Sequence, residues 1–155
     1  MSSIADRLAD LGIELPQPAA PAANYVPFVV SGREIFVSGQ VPVKDGKLAY
    51  QGKVGVKYSI EEAQEAARLV AINILAVAQA ACDGDLERIE RCVKLGGFVN
   101  CLPEFDQQPA VINGASDLMV AVLGDAGRHA RFAVGTNSLP FDVPVEVDAI
   151  FAMKS

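Results

Sequence analysis

Arg131 stands in the apolar run His129-Ala-Arg-Phe-Ala-Val-Gly135, and fifteen residues later Glu146 interrupts a second one, Val145-Glu-Val-Asp-Ala149. A guanidinium among Ala, Phe and Val is costly to bury unless an anion pairs with it. Two partners are open: a carboxylate of this chain, giving a structural ion pair, or the carboxylate or phosphate of a ligand. Arginine presents a planar fork that meets a carboxylate through two parallel N–H···O bonds, a geometry lysine lacks. A glutamate beside such a clamp is a candidate general base for water. The two runs read as strands joined by a loop at Leu139-Pro140. If they pair, strand alternation allows Arg131 and Glu146 to share one side of the sheet. His129 falls on Arg131's strand face, but a single histidine in an apolar run is more often a packed, hydrogen-bonded residue than a catalyst.

Positioning these residues requires a scaffold, and the rest of the chain spells one out. Ser2-Ser3 followed by Ile4, Leu8 and Leu11 predicts a short amphipathic helix stopped at Gly12, then a Pro/Ala connector over 16–21. Tyr25–Val30 and Glu34–Val37 flank Ser31-Gly32 as a hairpin, and Val41–Val43 and Lys47–Tyr50 flank Asp45-Gly46 as a second. Ser59-Ile-Glu-Glu62 is a capping box. The helix it opens carries Ala63, Ala66, Ala67, Val70, Ile74, Val77 and Ala78 on one stripe and ends near Cys82-Asp-Gly84. A short turn over Asp85–Arg88, a central strand over Cys92–Cys101 and a second long helix over Pro109–Leu123 follow. In that helix Val111, Ile112, Ala115, Leu118, Met119 and Val122 face inward. The expected fold is α+β, with two long helices on one face of a mostly antiparallel sheet. One domain spans 1–155, with residues 22–155 as its core.

Composition narrows the function. Hydrophobic residues make up 51% and charged residues 21% of the chain, which excludes a disordered protein. A net charge of −6 disfavours nucleic-acid binding, which relies on Lys and Arg to neutralise phosphates. Arg88, Arg91 and Lys94 are the one basic group and read as a solvated surface. A mean hydropathy of +0.28 is high for a small monomer and points to a subunit interface. Cys82, Cys92 and Cys101 lack metal-ligand spacing and read as reduced, buried thiols, so no metal is expected. No secretory signal is visible, and 66–82 is too interrupted by polar residues to be a membrane span. The expected location is the cytoplasm.

Several short motifs, in order, resemble the RidA/YjgF family of reactive-intermediate deaminases. They are Phe36-Val-Ser-Gly39-Gln-Val-Pro42, Val111-Ile-Asn113-Gly-Ala115, Ala130-Arg131 with Val134, Leu139-Pro140, and Val145-Glu146-Val-Asp-Ala149. Tyr25 lies fourteen residues before Gly39, and Glu146 fifteen after Arg131, as in that family. The resemblance covers roughly Tyr25 to Met153. It implies a chorismate-mutase-like fold and a homotrimer with pockets between subunits. It also implies cofactor-free hydrolysis of 2-imino and 2-enamino acids to 2-oxo acids and ammonia. By the same resemblance Arg131 holds the substrate carboxylate and Glu146 orients the attacking water. Tyr25, Gly39, Asn113 and Ala133 then line the pocket.

The chain departs from the better-known deaminases in three places. Ala133 replaces a cysteine, the segment over 103–109 is longer, and an N-terminal helix is added. Asn113-Gly-Ala-Ser-Asp-Leu118 and Gly127-Arg-His-Ala-Arg131 resemble instead a branch carrying the label endoribonuclease L-PSP. RNA cleavage by this chain is disfavoured by its charge and single histidine. A non-catalytic binder or sensor of small carboxylate metabolites is the main alternative to an imine hydrolase.

Overall fold

Ser59 opens the longest element by accepting the Glu62 N–H at 3.1 Å, while the Glu62 carboxylate accepts the Ser59 N–H at 3.1 Å. This reciprocal cap starts α2, Ile60–Ala81. In the computed structural model, which describes residues 2–18 and 24–155, α2 and α3 (Gln108–Leu123) lie together on one face of a five-stranded sheet. Every residue of the two predicted apolar stripes is buried. The alanines of α2 let the helices approach closely. At Gly114 of α3 an added Cβ would meet the Gln64 carbonyl carbon at 2.8 Å and its Cα at 2.9 Å. The Gln64 side chain also donates to the Ala110 carbonyl at 2.8 Å, tying α2 to the first turn of α3.

The sheet contains β1 (Phe28–Ser31), β2 (Glu34–Gln40), β5 (Ile89–Asn100), β6 (Ala130–Thr136) and β7 (Val145–Met153), in the order β1-β2-β7-β5-β6. All neighbours are antiparallel except β5 and β6. A separate hairpin joins β3 (Val43–Lys44) to β4 (Lys47–Leu48). Its turn residues Asp45 and Gly46 both have positive φ, 52° and 77°, as a two-residue hairpin of primed type requires.

The first strand starts at Phe28 rather than Tyr25, because Pro27 has no N–H for a ladder. β5 starts at Ile89, three residues before the apolar run marks it. Register shifts at Ile89/Arg91 and Cys92/Lys94 break the alternation that would have shown it. Arg88, Arg91 and Lys94 are exposed, as expected.

The N-terminal helix α1, Ile4–Asp10, is capped by Ser3 and buries Ile4 and Leu8. Arg7 donates to the Val122 carbonyl at 2.8 Å, satisfying an otherwise open acceptor in the last turn of α3. The connector predicted over 16–21 lies outside the described residues at 19–21. All three cysteines are free and buried, and burial pushes the Cys92 thiol up to about 12. Among the described residues no helix is long and apolar enough to cross a membrane.

Candidate functional site

The two strands carrying Arg131 and Glu146 do not pair. β6 runs parallel to β5 with Arg131 opposite Leu95, and β7 lies on the other side of β5 with Ala149 opposite the same Leu95. Leu95 and Ala149 are buried under the helices, so Arg131 emerges on the helix face. Glu146 sits one step out of phase, opposite Phe98, on the face that the helices leave open. The expectation that the pair shares one side of the sheet is therefore corrected: within one chain they lie on opposite faces. The cause is topological. The stretch from β5 through α3 to β6 is a strand–helix–strand crossover, which makes its two strands parallel neighbours and leaves β7 to dock elsewhere.

Arg131 is partly buried, and among the described residues no carboxylate is within ion-pair distance of it. One side of its guanidinium is anchored on α3. Nη1 donates to Asn113 Oδ1 at 2.9 Å and to Ser116 Oγ at 3.1 Å, and Nη2 reaches the Pro109 carbonyl at 3.5 Å. Five N–H donors less these three leave Nε–H and one Nη2–H without acceptors among the described residues. These belong to the edge that grips a carboxylate side-on. Ala133 and Gly135 continue the same strand face. The space above Gly135 is filled by Gln108 Nε2 and the Cys101 thiol, at 2.9 and 3.0 Å from where its Cβ would be. Gln108 belongs to the segment expected to be longer, and it donates to the Phe105 carbonyl at 2.8 Å.

Glu146 belongs to a different neighbourhood. Its carboxylate packs against the bare Cα of Gly39, where any side chain would strike Oε2. The Gly39 stretch is bulged, since the β2–β7 register shifts between Val37 and Gln40. The pKa of Glu146 is raised above its ordinary 4.5, first by burial and then by the neighbouring Asp148. Among the described residues no arginine or lysine pairs with Glu146 to lower it. A raised value suits a base, because an ionised carboxylate of higher pKa takes a proton more readily.

The shift also has a sign in stability. Between 4.5 and the raised folded value, the native chain binds more protons at this site than the unfolded chain does. Stability therefore falls as pH rises through that window. Glu146→Gln, which cannot ionise, is expected to melt above wild type at neutral pH, with the gap closing below pH 4.5. Thermal melts at pH 4 and pH 7.5 check this. A gap that stays the same at both values would mean that the carboxylate is fully compensated.

Tyr25 is exposed and shares with Gly39 a cleft of about 1240 Å³ between α2, the β3–β4 hairpin and residues 12–18. Ser38 Oγ donates to the Val26 carbonyl at 2.6 Å, which holds the Tyr25 segment beside the β2 bulge. The six predicted residues thus fall into two groups. Arg131, Asn113 and Ala133 lie at the β6–α3 edge, and Glu146, Gly39 and Tyr25 around the β2 bulge. One residue that sequence reasoning missed, Ser116, joins the first group. Ser116 bonds both Arg131 and His129 Nε2, the latter at 2.9 Å. Its place three residues after Asn113, on the same helix face, is the signal that would have found it. His129 is packed and hydrogen-bonded, as the bland reading has it. Among the described residues, no group of three or more His, Cys, Asp or Glu is placed to hold a metal ion.

The family described as "YjgF/chorismate mutase-like, putative endoribonuclease" matches residues 5–152. Protein TCP17 of Trypanosoma cruzi is 48% identical over 153 residues, covering 98% of this chain and 95% of its own. The crystal structure of Atu1372 from Agrobacterium tumefaciens is similar at 52% identity and a TM-score of 0.92, covering 97% of this chain and 92% of that one. That of E. coli TdcF with bound serine is more distant, at 26% identity and a TM-score of 0.62, covering 90% and 94%.

Proposed function

The chain belongs to the YjgF/RidA family, and from that premise we propose that it is a cytoplasmic, cofactor-independent hydrolase of 2-imino and 2-enamino acids, assembled as a homotrimer. One observation carries the reading: a guanidinium anchored on one side by α3 and open on its Nε/Nη2 edge, with no carboxylate among the described residues to fill that edge. Serine in the E. coli TdcF structure is a small amino acid with the carboxylate such an edge would take.

Assembly answers the separation of the two groups. The open sheet face carries Val29, Phe36, Phe98 and Val134, each at least 39% exposed, a patch of the kind that marks a protein interface. Glu146 and Asp148 sit within it. Packing copies through this face brings the Glu146–Gly39–Tyr25 group of one subunit against the Arg131–Asn113–Ala133 group of the next. In the reaction Arg131 holds the carboxylate. Glu146 takes a proton from water as the water oxygen bonds to the imine carbon, and hands it to the imine nitrogen as the C=N π bond opens. Glu146 then takes the hydroxyl proton of the carbinolamine and returns it to the amine as the C–N bond breaks, giving the 2-oxo acid and ammonia. An imine carbon is already electrophilic, so positioning, a charge clamp and a proton acceptor suffice. Ala133 leaves room for a larger side chain than cysteine would.

The test generates imino acids in situ with an amino-acid oxidase, from small, branched and aromatic precursors, and follows their disappearance. Wild type is expected to accelerate it, and Arg131→Ala and Glu146→Gln each to abolish the acceleration. Co-refolding the two inactive variants is expected to restore activity, since some interfaces then pair an intact Arg131 with an intact Glu146. Loss without restoration would put each site within one subunit. No acceleration by wild type with any precursor would leave a non-catalytic binder of small carboxylates. The ribonuclease in the family description finds no support in a chain of net charge −6 whose single histidine is committed to Ser116 and a backbone carbonyl.

A further inference from the structure

We propose that Ser116 and His129 are positioning residues that lock the Arg131 fork, with His129 accepting the Ser116 hydroxyl proton so that the Ser116 lone pairs are left to the guanidinium. The proposal rests on Arg131 being the carboxylate clamp. At the end of α3 the turn Gly124–Gly127 packs so closely that a Cβ on Gly127 would meet the Met119 carbonyl carbon at 2.6 Å and Val120 Cα at 2.8 Å. That packing places the Gly127 carbonyl 2.6 Å from His129 Nδ1. A carbonyl oxygen only accepts, so Nδ1 carries the proton and Nε2 of the neutral ring is an acceptor. Nε2 faces Ser116 Oγ at 2.9 Å, and the hydroxyl has a single proton to give. With that proton spent on His129, Ser116 Oγ offers only lone pairs to its other neighbour, Arg131 Nη1 at 3.1 Å.

Without His129 the hydroxyl would be free to turn. Serine within a helix commonly donates to the carbonyl four residues back, here Ile112, which would draw its proton and its lone pairs out of alignment with Nη1. Asn113 Oδ1 and the long contact to the Pro109 carbonyl, 3.5 Å from Nη2, would then be all that holds the guanidinium, and the planar fork would tilt about them. The chain Gly127 carbonyl–His129–Ser116–Arg131 thus turns a backbone feature of the α3 terminus into the orientation of the ligand-binding edge.

Because the chain holds one histidine, labelling with ¹⁵N-histidine gives a single imidazole to follow. Full-length protein at neutral pH is expected to show the proton on Nδ1, and Ser116→Ala to move the Nε2 resonance while leaving Nδ1 in place. Calorimetric titration with pyruvate is the second readout. Ser116→Ala and His129→Leu are expected to bind about fivefold more weakly, the worth of one neutral hydrogen bond. His129→Gln, whose amide oxygen can accept near the Nε2 position, should return within about twofold of wild type, a rescue that general destabilisation would not give. A proton on Nε2 would overturn the proposal. So would wild-type affinity in Ser116→Ala while Arg131→Lys binds weakly, a result that leaves the carboxylate reading intact. Equal pyruvate affinity in wild type and Arg131→Lys would remove the carboxylate reading and this proposal together.

Discussion

Arg131→Lys is expected to leave the chain folded and assembled while weakening 2-oxo acid binding at least about tenfold, and Arg131→Ala about a hundredfold. The magnitudes follow from what each change removes. Alanine loses the charge and both bonds of the Nε/Nη2 edge, and hydrogen bonds to charged groups are worth roughly 1.5–3 kcal/mol each, where about 1.4 kcal/mol is a factor of ten. Lysine keeps the charge but gathers its three N–H donors on one nitrogen, which cannot present two parallel bonds to a carboxylate while also reaching Asn113 and Ser116. Calorimetry with pyruvate, beside circular dichroism melts, separates binding from folding. Arg88→Lys is the control, because Arg88 pairs with exposed Asp83 away from both groups. If Arg131→Lys and wild type bind with equal affinity, the guanidinium serves only to pin β6 to α3.

Gly114→Ala is expected to cost about 3 kcal/mol of stability, the upper end of overpacking penalties, and to lower the melting temperature by roughly 10 °C. The reason is what its methyl would meet. At Gly39 the obstacle is the end of a flexible Glu146 side chain, which can swing aside. At Gly114 it is the Gln64 backbone in the second turn of α2. Relief there requires the two helices to separate, and both are buried along their inner faces against each other and the sheet. Separation would also strain the Gln64–Ala110 hydrogen bond and carry Asn113 and Ser116 away from Arg131. Ligand affinity should therefore fall with stability. A melting temperature unchanged by Gly114→Ala would mean that the α2–α3 crossing is looser than its geometry implies.

Local patterns along the chain specify its elements and the chemistry available to them. The Ser59-Glu62 cap, the stripes of α2 and α3 and the Asp45-Gly46 turn are local: each depends on residues a few positions apart, and each forms where its pattern lies. The motifs around Gly39, Asn113, Arg131 and Glu146 likewise named the family, because residue type and spacing are properties of the chain. Which residues meet was decided only in three dimensions. Alternation along β6 tells that Arg131 and Ala133 share a face, but it cannot say which face without knowing the neighbouring strand. The insertion of β5 between β6 and β7 set that neighbour, and with it the separation of Arg131 from Glu146. A parallel pair was legible in the strand–helix–strand order over residues 89–136, although the Pro-containing loop at 139–140 suggested a hairpin instead. The raised pKa of Glu146 had no sequence signature, and of the link from His129 through Ser116 to Arg131 only the spacing of Ser116 from Asn113 was legible. Both arise from burial and contact between segments distant along the chain, and those exist only once the sheet and helices have packed.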